Sequence, residues 1–157
     1  MGTNYYIKRK LSDKQKQIII DKLMKDEYED VHFMLPENIH IGKRSSGWKF
    51  LWDVHGFKYF NPTKESIFDF LKSGIIIDEF RQEVSFDDFI NNIIVSKFGD
   101  PWDSTSYHKE HPDDFYMGQI FGNSINEFKE RFPNLNVNEY GEFYIDDFRC
   151  TYAEDFS

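Results

Sequence analysis

Residues 38–55 read NIHIGKRSSGWKFLWDVH, and the alternation in this stretch decides the fold. Asn38 to Arg44 has the pattern of a short strand, and Ser45-Ser46-Gly47 supplies a turn. Trp48, Phe50, Trp52 and Val54 then recur at every second position up to His55. Side chains two apart on an extended chain share a face, so the stretch predicts a β-hairpin with an aromatic inner face.

Working outward, Asn4 to Arg9 alternates and is rich in Tyr and Ile, which predicts another strand. Ser12 can accept the free N–H groups of a first helical turn, and a helix is expected from there to about Tyr28. Its apolar face would be Leu11, Ile18, Ile19, Leu23 and Met24, and the acids from Asp26 to Asp30 sit unfavourably at its C-terminal end. Thr63 opens a second helix running to Ser73, with Gly74 placed for a left-handed cap before a strand at Ile75 to Asp78. Ser85 and Asp88 open a third, whose stripe of Phe86, Phe89, Ile90, Ile93, Ile94 and Phe98 ends at Gly99. Residues 100–118 read as a long loop. Ser124 with Glu127 opens a fourth helix, stopped by Pro133, and residues 142–156 read as a final hairpin turning at Asp146-Asp147. Strands and helices interleave without regular βαβ spacing. The expected fold is α+β, a single domain over residues 1–157 with an antiparallel or mixed sheet and about four helices packed on it.

The chain has 157 residues and a net charge of −9, and that charge is uneven. Residues 1–99 hold fifteen Lys/Arg and fifteen Asp/Glu, whereas residues 100–157 hold four and thirteen. The acidic third is dense in aromatics, which a disordered tail would lack. Such a charge argues against nucleic-acid binding through a positive field and favours a partner with a basic surface. One cysteine, Cys150, leaves no internal disulfide and points to a reducing compartment. No signal peptide or membrane span is expected, so the cytoplasm is the default.

Candidate chemistry is sparse. Gly42-Lys43-Arg44-Ser45-Ser46-Gly47 combines two cations, two hydroxyls and flexible backbone, which suits an anion nest, but it lacks the order of a Walker loop and leads into a strand. With His40 and Trp48 it makes a candidate ligand set: His40, Lys43, Arg44, Ser45, Ser46 and Trp48. His40 and His55 sit near opposite ends of the predicted hairpin and can approach across its two strands, with Asp53 as an orienting carboxylate, which would suit a general base or a metal ligand. His108, Glu110, His111, Asp113 and Asp114 form a loop cluster of a type metals accept. Asn136 to Asp147 echoes a calcium loop, but Tyr140 stands at a ligand position and Asp147 is shorter than the bidentate Glu, so a turn built on Gly141 is the better reading. Cys150 has no nucleophile partner. No catalytic signature emerges, and no cofactor or metal is expected.

The segments Gly2 to Tyr6 (GTNYY), His40 to Trp48 (HIGKRSSGW), Ile77 to Glu79 (IDE) and Asp155 to Ser157 (DFS) follow one another in an order that resembles a family of phage and prophage proteins. These carry GTNYY, then HIGK-S-S/A-GW, then an I-DE strand before a helix. Here Arg44 is inserted before Ser45. Many members carry a cysteine-rich, zinc-ribbon-like segment ahead of the HIGK element, where this chain has the Ser12 helix, so metal binding there does not carry over. The resemblance implies a small accessory protein in an infected bacterial cell and supplies no activity.

Two functions follow as expectations. One is a non-enzymatic binder or inhibitor of a host protein, such as a defence or nucleic-acid-processing factor, acting in the bacterial cytoplasm through acidic residues including Asp113, Asp114, Asp146 and Asp147. The other is a small anionic-ligand or nucleotide module on the 40–48 hairpin, with Trp48 stacking on a base.

Overall fold

The computed structural model describes residues 2–45, 49–53, 61–95, 115–122 and 124–153. In chain order the elements are β1 (Gly2–Arg9), α1 (Asp13–Met24), α2 (Val31–Met34), β2 (Ile39–Ser45), β3 (Leu51–Asp53), α3 (Lys64–Lys72), β4 (Gly74–Asp78) and β5 (Glu83–Val84). Then come α4 (Phe86–Asp88) with its π-helical continuation (Phe89–Ile94), β6 (Phe115–Phe121), α5 (Ile125–Arg131), β7 (Glu142–Ile145) and β8 (Phe148–Ala153). The strands form one eight-stranded sheet in the order β5-β4-β1-β2-β3-β6-β8-β7. Its β3-β6 and β6-β8 pairings are parallel and the rest antiparallel. The fold is α+β with a mixed sheet.

Local chemistry explains most boundaries. The Ser12 hydroxyl accepts the Gln15 N–H at 3.2 Å while the Ser12 N–H donates to the Gln15 side chain at 2.9 Å, a capping box that starts α1. Thr63 and Ser66 make the same exchange at α3, and Ser85 and Ser124 accept first-turn N–H groups at α4 and α5. The expected hairpin is present: Gly42 opposes Trp52 and Lys43 opposes Leu51. Phe50 and Trp52 are buried together with ring centroids 5.0 Å apart. Trp48, Val54 and His55 lie outside the described residues.

The main core lies on one face of the sheet, under α3, the π-helix and α5, with Tyr116 and Arg149 also buried outside it. Phe89 packs edge-on against Tyr5 at 5.3 Å and Phe50 at 5.8 Å, Phe68 meets Phe148 at 6.3 Å, and Phe128 meets Phe143 at 5.3 Å. Full burial of one such phenyl ring stabilises the fold by about 1.5–3 kcal/mol.

Six expectations need correction. Residues 115–118, expected in a loop, belong to β6, the strand that joins the two halves of the sheet. Tyr116, Met117, Gly118 and Ile120 are all buried, and a strand covered on both faces loses the alternation that marks an exposed one. Gly74 does not form a left-handed cap; it opens β4, and a Cβ there would lie 2.4 Å from the Lys8 carbonyl oxygen of the neighbouring strand. The Ser12 helix ends at Met24 rather than near Tyr28, with Asp26 at φ 61° turning the chain. Its apolar face is not covered: Ile19 alone is buried. Finally, the helix from Phe86 is α-helical for one turn only and then widens, and fewer than four helices pack on the sheet, because α1 buries Ile19 alone and α2 buries nothing.

Candidate functional site: an aromatic groove and a locked histidine

The widened helix shapes the most promising surface. Val95 N–H donates to the Ile90 carbonyl at 3.1 Å, a five-residue spacing. That spacing aligns Phe89 with Ile94, both buried, and Ile90 with Val95, which line a groove next to the core. An α-helical turn would have pulled the second pair out of line.

The groove holds about 320 Å³, and its floor is Phe68, Phe86, Ile90, Val95, Phe115 and Phe148. Phe68 and Phe86 meet edge to face at 5.1 Å. Asp87 and Asp147 stand on its rim with Lys64. The Lys64 ammonium pairs with the Asp147 carboxylate at 3.2 Å and lies 5.0 Å from the Phe148 ring centroid and 5.8 Å from that of Phe68. A cation over aromatic faces beside a carboxylate is a favourable arrangement. At the far end, the Lys72 ammonium lies 4.5 Å over Phe86.

Asp146 and Asp147, expected as partner-binding residues, also have structural work here. The Asp146 carboxylate accepts the Lys64 backbone N–H at 2.7 Å and so satisfies one of the free donors at the start of α3. Asp113, Asp114, His108 and His111 lie outside the described residues.

On the other face of the sheet, His40 Nδ1 lies 2.9 Å from Asp53 Oδ2 and His40 Nε2 lies 3.1 Å from Asn4 Oδ1. The Tyr6 ring packs against the imidazole at 5.2 Å. The Asp53 carboxylate does orient His40, but both ring nitrogens are occupied. Binding a metal, or taking a proton from a substrate, would require breaking one of these bonds.

The remaining hairpin residues diverge. Lys43 and Arg44 are in β2 as expected, and Ser45, expected in the turn, extends it, so alternation sends Lys43 and Arg44 to opposite faces. Lys43 opposes Asn4 on the face of His40, whereas Arg44 opposes Thr3 on the face of Tyr5. Ser46 and Trp48 lie outside the described residues.

Sequence reasoning did not anticipate the surroundings of Tyr116. This buried ring has the Arg149 guanidinium at 4.7 Å and the Lys49 ammonium at 4.2 Å, while its hydroxyl bonds to Thr151 at 2.5 Å. An arginine between apolar neighbours in Phe148–Ala153 was the available signal. Burial pushes the Cys150 thiol well above the ordinary range, with Arg149 pulling more weakly the other way. A larger open cleft, about 470 Å³, lies between α5 and the carboxyl ends of β6 and β8, but its walls are mainly Ser124, Glu127, Glu130 and Arg131 around two core rings. Among the described residues no His/Cys/Asp/Glu cluster suits a metal ion, and no helix is long and apolar enough to cross a membrane.

Fold and groove together define an α+β protein with a mixed eight-stranded sheet and a carboxylate-rimmed aromatic groove. In comparisons with known proteins, no family model matches the chain, nor does any curated protein or solved structure.

Proposed function

We propose that this is a non-enzymatic binding protein, of the phage accessory kind and acting in the bacterial host cytoplasm, that takes a basic, apolar segment of a host protein into the groove between α3, the π-helix and the β7-β8 turn. The observation that carries this reading is Lys64. Its ammonium already lies over Phe148 and Phe68 and against Asp147, so the groove accommodates a cation on an aromatic floor. A partner lysine or arginine, followed by an apolar side chain for Ile90 and Phe115, has the matching chemistry. The net charge of −9 draws such a partner in at long range. Both His40 ring nitrogens being bonded speaks for binding over acid-base chemistry on that face.

Reversing Asp146 would uncap α3, so the test uses exposed Asp87 and half-buried Ile90. Tagged wild-type protein and an Asp87→Lys/Ile90→Asp variant are each exposed to bacterial lysate at low and at high salt. The expected result is a basic host protein that the wild type retains at low salt and releases at high salt, and that the variant does not retain. Identical capture by both proteins, or none by either, would overturn the reading.

A further inference from the structure

The helix α1 is unusual in two independent ways. First, of its twelve residues only Ile19 is buried. Ile18, Ile20, Leu23 and Met24 are 38, 49, 43 and 80 % exposed, and beside them Phe33 and Leu35 are 80 and 50 % exposed. Helices of this length draw most of their stability from packing an apolar face, and this one packs little of it on its own sheet.

Second, the segment built around it is bipolar, although Asp13 in its first turn and Lys22 in its last suit the helix dipole. Residues 8–16 hold five Lys/Arg and one acid, Asp13, whereas Asp26, Glu27, Glu29 and Asp30 crowd just beyond the C-terminal end, after Lys22 and Lys25. Lys14 and Lys16 near the positive end and the four carboxylates beyond the negative end are unfavourably placed for the dipole. Lys22 offsets part of this, pairing with Glu27 and Asp30 at 3.6 Å each.

We propose that the α1-α2 surface is a homodimer interface, in which α1 packs antiparallel on α1 of a second copy of this chain. A two-fold axis between the helices and perpendicular to them places the basic N-terminal side of each copy against the acidic segment that follows the helix in the other, and opposes the two helix dipoles. The exposed Ile20, Leu23 and Met24 then cover one another between the charged ends. An isologous contact needs a self-complementary patch, and a segment basic before and acidic after a helix of about 18 Å supplies one. An anionic membrane would meet the four carboxylates, and a uniformly acidic or basic partner would meet like charge at one end. The charge pattern of a second copy satisfies both ends. This inference is independent of the groove, which uses other elements.

Sedimentation velocity of the full chain, from low to high micromolar, is the test. The wild type is expected to dimerise, and Leu23→Glu/Met24→Glu to raise the dissociation constant by about a hundredfold while circular dichroism shows an intact fold. Lys14→Glu/Lys16→Glu is expected to weaken the dimer by about tenfold, and adding Glu27→Lys/Glu29→Lys to the same chain to restore it, since the exchanged charges again match. A wild type that stays monomeric throughout, or a dimer indifferent to these substitutions, overturns the proposal.

Discussion

The Asp146 carboxylate accepts the backbone N–H of Lys64 at 2.7 Å, across 82 positions of sequence. The bond ties the turn of the last hairpin to the first residue of α3 and fixes one wall of the groove against another. Asp146 sits at φ 50°, a conformation that Asn tolerates and Ala does not. Asp146→Ala is expected to lower stability in urea unfolding by about 1–2 kcal/mol, with Asp146→Asn costing clearly less. Equal loss in both variants would mean that the cap contributes nothing.

Lys64 competes with any incoming cation for Asp147 and the Phe148 face. Removing it by Lys64→Ala should change stability by less than about 1 kcal/mol, since the pair is well exposed. The same change is expected to tighten binding of the captured basic partner by about threefold to tenfold in calorimetric titration. Weaker binding would show that Lys64 contacts the partner instead.

Gly118 has φ 131°, and a Cβ there would lie 2.1 Å from the Phe50 carbonyl oxygen. That oxygen accepts the Gln119 N–H at 2.8 Å, so the clash cannot be relieved without opening the β3-β6 contact. Gly118→Ala is expected to cost more than about 2 kcal/mol, measured as a lowered denaturation midpoint.

Burial holds the Cys150 thiol protonated far beyond its ordinary range, and burial followed by the charges of Asp78 and Asp88 raises the Tyr5 phenol as well. Both groups have folded values above their unfolded ones. Their contribution to stability is therefore complete below the unfolded values and is lost as pH rises through the folded ones. Stability should be insensitive to these groups at neutral pH and fall above about pH 9. Thiol labelling at pH 8 should proceed only as fast as the chain unfolds.

His40 and Asp53 are half-buried, and a double-mutant cycle with alanine at both should give a coupling of about 0.5–1 kcal/mol. A coupling near zero would reduce their hydrogen bond to a passive contact.

What was legible in the sequence follows a physical boundary. Ser12, Thr63, Ser85 and Ser124 were readable as caps because a cap acts within one turn, and the hairpins at Gly42–Trp52 and at Asp146-Asp147 were readable because alternation and turn residues are local too. Asp53 was readable as a partner of His40 across the hairpin, but Asn4, brought in by β1, was not. β6 was missed because its near-continuous apolar run is buried on both faces. The exposed side of α1 was misread because a pattern of apolar residues states that something covers them and not what. The groove depends on a widened helical turn and on Asp146 reaching Lys64, neither of which any local pattern encodes.

The sheet's strand order has a kinetic consequence. The strands β5, β4, β1, β2 and β3 come from residues 2–84, and β6, β8 and β7 from residues 115–153, so each half is assembled from one contiguous stretch of chain. They are spliced by three register pairs, Leu51 with Gln119, Trp52 with Ile120 and Asp53 with Phe121. The Trp52 indole N–H reaching the Met117 carbonyl at 3.4 Å adds a side-chain stitch across the same line. Closing so long a loop for so short a ladder gives little return until the aromatic side chains dock. The halves share one core but only a short ladder, so the β3-β6 line is expected to form late in folding and to show faster amide exchange than the β1-β2 and β6-β8 ladders, which hydrogen exchange would check.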